Sequence, residues 1–312
     1  MAMHTKIVWN EVIADNTTET HYFDFAQIFS AVNRKQYHQV DSKGNAQVYL
    51  LKITQASYSG SDQGDVRSTL STAPNTYVTK QAVKAWHKAR TAMFSKAGIK
   101  MKTLSPYTRN LRMLLDSSAP SPSGTTDSEL RSGSPELSTM VNSGQFDEAN
   151  TGTVTGDDLV DKYTLTLLGD HVTSQTAETT KYTTVGVNQS WLDARRQPYA
   201  IADASAEAGT TSTLVTHPLN PLLESRALSG IAEEVVGVAK DEQTQQPPWA
   251  NGTQTALVSQ AGIYTANNST QEVIIEVPLG LMKATLQDLR SSEPDVNPNV
   301  LWNIELLDIY DM

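Results

Sequence analysis

The chain contains no cysteine, which excludes a disulfide framework, thiolate zinc sites, iron–sulfur clusters and a cysteine nucleophile. Stability therefore has to come from packing and from partner subunits. Long apolar runs are missing too: no stretch approaches the ~20 residues needed to span a bilayer. The opening MAMHTKIVWNEV lacks the charged-then-apolar order of a secretory signal. A soluble protein, made in the cytoplasm and not secreted, is the expectation. Hydrophobic residues make up only 38% of the 312, and mean hydropathy is −0.37. The balance is Thr, Ser, Ala, Gln and Asn, a mixture suited to long loops carried on sheets more than to helical bundles.

Catalytic signatures are equally scarce. The six histidines (His4, His21, His38, His87, His171 and His217) form no HExxH and no His-x-His pair, and no carboxylate cluster stands at metal-ligand spacing from them. There is no Gly-x-Ser-x-Gly elbow and no phosphate-binding glycine loop. Asp157, Asp158 and Asp161 are spaced closely enough to chelate a hard cation, but they read more simply as solvated turn residues. The stretch 241–252, with Trp249 behind two prolines, reads either as a partner-docking loop or as an ordinary surface turn. No catalytic residue, cofactor or metal is expected.

Charge is present but uneven. The net value is −10, which argues against a binder held to nucleic acid mainly by counterion release. Yet residues 66–115 contain Arg67, Lys80, Lys84, Lys88, Arg90, Lys96, Lys100, Lys102, Arg109 and Arg112 and no acid at all. All 34 acidic residues lie elsewhere. This segment reads either as a solvated face or as a contact for a polyanion, whether genome phosphate or anionic lipid headgroups.

Strand patterns dominate the order of elements. KIVWNEVI, THYFDFAQIF and, after a turn at 41–45, AQVYLLKITQAS read as strands. The third carries apolar residues on both faces, Val48 and Leu50 on one and Tyr49, Leu51 and Ile53 on the other, as in a sandwich wall. Thr79 to Ala97 predicts a helix with an apolar stripe of Ala82, Trp86, Ala89, Met93 and Ala97, a cationic stripe of Lys80, Lys84 and Lys88, and a stop at Gly98. A shorter helix is expected over Tyr107 to Leu115. Residues 117–156 are rich in Ser, Pro, Gly and Thr, which predicts an exposed loop or linker. Strand patterns resume at 158–172 and 181–188, a helix is expected from Pro221 to Val238, and strands return at 255–266, 270–280 and 299–312. In the last, Leu301, Asn303, Glu305, Leu307 and Ile309 fall on one side and Trp302, Ile304, Leu306, Asp308 and Tyr310 on the other. Trp86, Ala89 and Arg90 recur in spacing as Trp191, Ala194 and Arg195, an echo that two similar β domains, or chance, would produce. The expected division is a β-rich domain over 1–116 with the basic helix, the loop 117–156, and a second β-rich domain over 157–312.

Three segments carry a resemblance. Asn33-Arg34-Lys35-Gln36-Tyr37-His38-Gln39, the strand Val48 to Ile53, and Thr72-Ala73-Pro74-Asn75-Thr76-Tyr77-Val78 leading into Ala82-Val83-Lys84-Ala85-Trp86 resemble capsid proteins of small tailless icosahedral viruses. The resemblance implies a jelly-roll β-sandwich, eight strands per roll in two facing sheets, self-assembling as a homotrimer or larger shell in a virion. Single-roll capsid proteins often begin with an Arg-rich arm, whereas Lys6 is the only Lys or Arg here before Arg34. A double roll is therefore favoured over a single roll with long insertions. Partners would be further copies of the chain, genome nucleic acid or an internal membrane reached through 66–115, and minor capsid or spike proteins. Two other classes fit the composition: a trimeric receptor- or glycan-binding spike or fibre protein, and an enzyme whose site is gathered from distant loops.

Overall fold

The computed structural model describes residues 4–14, 17–58, 65–96, 98, 100–103, 113–116, 164–168, 184–196, 257–266, 268–289 and 298–312. These fall into two units. One joins the chain through Asn75 to the chain from Leu257 onward, and the other begins at Thr76 and ends at Ala256. The expected division into consecutive β domains is thus replaced by a discontinuous one, because strands from both ends of the chain share the same sheets. The loop expected over 117–156 and the helix expected over 221–238 lie outside the described residues.

The first unit is mainly β, with two antiparallel four-stranded sheets. Its strands are β1 (Lys6–Val12), β2 (Thr18–Asp24), β3 (Gln47–Tyr58), β4 (Val66–Thr72), β7 (Val258–Thr265), β8 (Thr270–Pro278), β9 (Leu281–Asp288) and β10 (Asn299–Asp311). One sheet runs β1-β10-β3-β8 and the other β2-β9-β4-β7. Successive strands therefore alternate between the sheets, with one exception: β4 and β7 are neighbours, and Thr72 at the end of β4 pairs directly with Val258 at the start of β7. The chain between them leaves and rejoins the sheet on a single rung.

Period-two burial defines the core. Ile7 and Trp9 of β1, Tyr49, Leu51 and Ile53 of β3, Ile275 and Val277 of β8, and Trp302 and Ile304 of β10 point inward from one sheet. Phe23, Val66, Leu70, Ile263, Met282, Ala284 and Leu286 meet them from the other. Fully burying each large side chain contributes about 1.5–3 kcal/mol. A run of rings crosses the interior: Trp9 lies 4.7 Å from Trp302 and meets Phe23 edge-on at 5.2 Å, and Phe23 stacks on Phe25 at 5.7 Å.

Phe25 belongs to a helix where the sequence pattern suggested a continued strand. Asp24 ends β2, and its carboxylate accepts from the amide of Gln27 at 3.1 Å, an N-cap that starts α1 (Phe25–Asn33). Phe25, Ile28 and Phe29 then fall on one buried face. Against the start of α1, where the Phe25 amide donates to the Gly280 carbonyl at 2.8 Å, a tight turn at Leu279 and Gly280 joins β8 to β9. Both residues have positive φ (58° and 72°), and a Cβ on Gly280 would come within 3.1 Å of the Ala26 amide nitrogen, so the turn needs glycine there.

In β10 the sequence placed Ile309 with the outward Leu301. A bulge between Leu306 and Asp308 shifts the phase by one residue, so Leu306 and Ile309 both pack against the core. The alternation expected before the bulge holds, with Trp302 and Ile304 buried and Leu301 and Asn303 exposed.

One polar side chain bridges the sheets. Gln55 of β3 is fully buried. Its Oε1 accepts from Trp302 Nε1 of β10 at 2.8 Å and from Ser68 Oγ of β4, and its Nε2 donates to Thr265 Oγ1 of β7 at 2.8 Å. One amide thus contacts a strand of its own sheet and two of the facing sheet. We expect Gln55→Leu to lower unfolding free energy by about 3 kcal/mol, because three buried polar partners lose a bond at once. A urea titration measures this, and a loss below ~1 kcal/mol would mean that apolar packing alone holds the sheets in place.

Candidate functional site

In the second unit, α2 (Tyr77–Lys96) starts at Thr76, whose hydroxyl accepts from the Thr79 amide at 3.4 Å. The helix was expected two residues later. Its buried face is Thr79, Ala82, Val83, Trp86, His87 and Arg90, so the stripe is rotated from the expected one: Ala89 is half-buried, and Val83, His87 and Arg90 turn inward. The side chains of Met93 and Ala97 lie outside the described residues. Thr79 Oγ1 also accepts from Asn188 Nδ2 at 3.2 Å, which ties α2 to α3 (Val187–Arg196). Tyr77 meets Trp191 edge-on at 6.2 Å. Trp86 is fully buried whereas Trp191 is half-buried, so the two members of the sequence echo occupy different surroundings.

Beside these helices, β5 (Thr164–Thr166) and β6 (Thr184–Gly186) pair in parallel, and Leu114 forms a parallel bridge to Thr166. The helix expected over Tyr107 to Leu115 therefore does not reach its last residues, which run extended. The Leu114 amide donates to the Leu165 carbonyl at 2.8 Å. The earlier part of that segment is outside the described residues.

The described cations of 66–115 are not all at the surface. Arg67 is exposed on β4 of the sandwich, whereas Lys80, Lys84, Lys88, Lys100 and Lys102 belong to the second unit. Lys80 and Lys84 are half-exposed, and Lys88, Lys100 and Lys102 are exposed. Arg90 is overturned as a surface contact. It is 1% exposed, its guanidinium lies 4.9 Å from the centre of the Phe94 ring, and burial lowers its pKa to about 10, which leaves it charged at neutral pH. A buried arginine contributes its aliphatic stem to packing as well as its charge. Lys96 ends α2 with a side chain outside the described residues, as are Arg109 and Arg112.

The two outward faces of the sandwich differ in a way the sequence did not signal. On the β1-β10-β3-β8 face the cations are neutralised: Lys6 lies 3.5 Å from Glu305 and Lys52 lies 2.8 Å from Glu272. That second contact raises the Lys52 pKa, chiefly through its hydrogen bond. On the β2-β9-β4-β7 face, strand pairing sets out three rungs: Thr18, Gln287, Arg67 and Tyr264; Thr20, Thr285, Thr69 and Gly262; and Tyr22, Lys283, Ser71 and Ser259. None of these twelve is acidic, but Tyr22 and Ser71 are buried, and Asp24, paired with Leu281, follows one rung beyond Tyr22. Only the strand registers bring them together, since they come from four separate stretches of chain.

Asp157, Asp158, Asp161 and Trp249 lie outside the described residues. Among the described residues, no three His, Asp or Glu side chains are grouped so as to hold a metal ion, and no helix is long and apolar enough to cross a membrane. No protein-family model matches the chain, and neither a curated protein nor a solved structure matches it.

The buried face of α2 yields a paired expectation. Trp86→Ala should cost about 3–5 kcal/mol through the cavity it leaves, whereas Lys88→Ala, on the exposed side, should change stability by less than ~0.5 kcal/mol. Denaturant melts of both variants check the helix orientation, and comparable losses would contradict it.

Proposed function

We propose that the chain is a structural protein, the major capsid protein of a small tailless icosahedral virus, and that its sandwich is a single jelly roll with the second unit inserted between the fourth and fifth strands. The observation that carries this reading is the strand order. Numbered along the sandwich alone, the eight strands run 1-8-3-6 in one sheet and 2-7-4-5 in the other, an arrangement of two interlocked Greek keys. A single roll with a long insertion is preferred to the double roll because strands from both ends of the chain are spent on one sandwich.

The strand edges favour association through faces and loops over edge-to-edge pairing. The edge amide of Tyr264 donates to Gln271 Oε1 at 2.9 Å. At the start of β1, Asn33 pairs with both backbone groups of His4, at 2.7 Å and 3.0 Å. Edges occupied in this way resist indiscriminate strand addition, as suits a protein held at high local density in a shell. On this reading the exposed lysines of α2 contact genome phosphate or anionic lipid on the particle's inner side.

Purified protein examined by sedimentation and electron microscopy should form trimers, rings or closed shells as concentration and ionic strength are varied. A strict monomer under all conditions overturns the reading, and a compact trimer that binds glycans without forming shells moves the protein to the spike class. Replacing Lys80, Lys84 and Lys88 with Gln should leave stability within a few tenths of a kcal/mol, about the size of solvated helix charges. It should also reduce the salt dependence of polyanion binding by roughly two to three units of log–log slope. Lysines pointing outward in an assembled particle would contradict the inward assignment.

A further inference from the structure

We infer that the outward face of the β1-β10-β3-β8 sheet is a self-complementary interface, on which a second copy of the chain packs about a two-fold axis running along the strands between β10 and β3. The inference rests on the reading that the chain self-assembles, and it adds which surface and which symmetry do so.

Exposed apolar side chains gather on this sheet. Among the described residues nine large ones are exposed, and Val12, Tyr58, Ile274, Leu301 and Leu307 belong to this sheet, against Val258 and Tyr264 in the other. Register brings three of them together: Leu301 pairs with Asn10 and Ala56, and on the next outward rung Val12 and Tyr58 both pair with Asn299. Two further rungs lead to Lys6, Glu305, Lys52 and Ile274. No outward residue on these four rungs is buried. Apolar surface gathered and left open in this way marks an interaction site.

The charges identify the partner. Copies of a chain of net charge −10 repel one another unless charge is balanced where they meet. Across one rung the order is Lys6, Glu305, Lys52 and Ile274, and a two-fold axis along the strands reverses it. Glu305 of each copy then stands over Lys52 of the other, and symmetry makes the match twice. Lys6 stands over Ile274 of the other copy, which Glu272 and Glu276 flank along β8. Within one copy these lysines already contact Glu305 at 3.5 Å and Glu272 at 2.8 Å, so association joins the pairs of two copies into one network of alternating sign. Two rungs away Leu301 stands over Ala56 of the other copy, which closes an apolar centre. A partner of one dominant sign would leave half of these charges unmatched. At the border Asp308, paired with Leu50, stays with solvent and accepts from the Ile309 amide at 2.8 Å. From strand and residue spacing the four rungs cover roughly 500 Å² per copy, below the ~800 Å² per partner of a standard stable complex. The isolated pair is therefore weak and depends on concentration, and a shell multiplies it.

A chain without cysteine permits a geometric test on the full-length protein. Asn10 and Thr270 stand at opposite ends of the Leu301 rung, and the reversal puts Asn10 of one copy over Thr270 of the other. Asn10→Cys and Thr270→Cys proteins, mixed with a bismaleimide of ~10 Å reach, the spacing of packed sheets, should cross-link to each other. Each alone should cross-link far less, because like positions are ~14 Å apart laterally as well, three strand spacings. Sedimentation equilibrium should show a monomer–dimer equilibrium that Leu301→Glu weakens about tenfold or more, as expected at the centre of an interface. Lys52→Glu, which faces Glu305 of the other copy, should weaken it too. Circular dichroism on each variant confirms that the sandwich is intact. A protein that stays monomeric at every concentration overturns the inference, as does one that cross-links equally well between like and unlike cysteines. Association that Leu301→Glu leaves unchanged overturns it as well, since the copies then meet elsewhere. Shells that form without the Asn10–Thr270 cross-link sink the inference and leave the capsid reading standing. Cross-linked dimers that never progress to larger assemblies do the reverse.

Discussion

The sandwich depends on the alignment of its two sheets, and that alignment rests on Gln55. Aromatic and aliphatic side chains attract without direction, so a purely apolar interface between two twisted sheets tolerates small slides that keep the same area buried. A primary amide with one acceptor and one donor engaged at defined positions on Trp302, Ser68 and Thr265 does not. A slide by one residue would strand buried polar groups on both sheets. The same amide holds Trp302, the indole that begins the run of rings through Trp9 and Phe23 to Phe25, so directional bonding and apolar packing are joined at one point.

That arrangement also governs what could be read from the sequence. The strands β1, β7, β8 and β10 are visible from their alternating or β-prone residues, and β3 from apolar residues on both of its faces. Strand β4 is not: two of its inward positions are Ser68 and Thr72, and a serine facing the core to reach Gln55 erases the pattern. Strand β9 was legible and passed over: Pro278 and Gly280 mark the turn before it, and Met282, Ala284 and Leu286 alternate inward. The helix α1 was hidden in what looked like a strand, although Asp24 followed by Phe25, Ile28 and Phe29 is a cap and a buried face in plain order. The bulge in β10 has no local signature, and everything beyond it changes sides.

The basic segment shows a different limit. Charge counted along the chain treats Arg67, Lys88 and Arg90 alike, but they stand on a sheet face, on the exposed side of a helix, and in a core. Only the Phe four residues after Arg90 hinted that this arginine had somewhere to go. Conversely, the face that unites Arg67 with Lys283 and Tyr264 comes from segments about two hundred residues apart, joined by hydrogen-bond register. Composition finds a cationic stretch, whereas only pairing shows which side chains share a face.

The shared rung of Thr72 and Val258 bears on how such a chain can change over time. Closing a loop of n residues costs entropy that grows only with the logarithm of n, about 0.6 kcal/mol for each doubling. Here the strands on either side already hold the two ends together. The host sandwich is therefore nearly indifferent to the size of its guest: lengthening, trimming or exchanging what lies between those two residues leaves every register in both sheets untouched. Selection can rework the guest at one pace and conserve the host at another, and descendants of one ancestor could share the sandwich while differing beyond recognition over most of the sequence between.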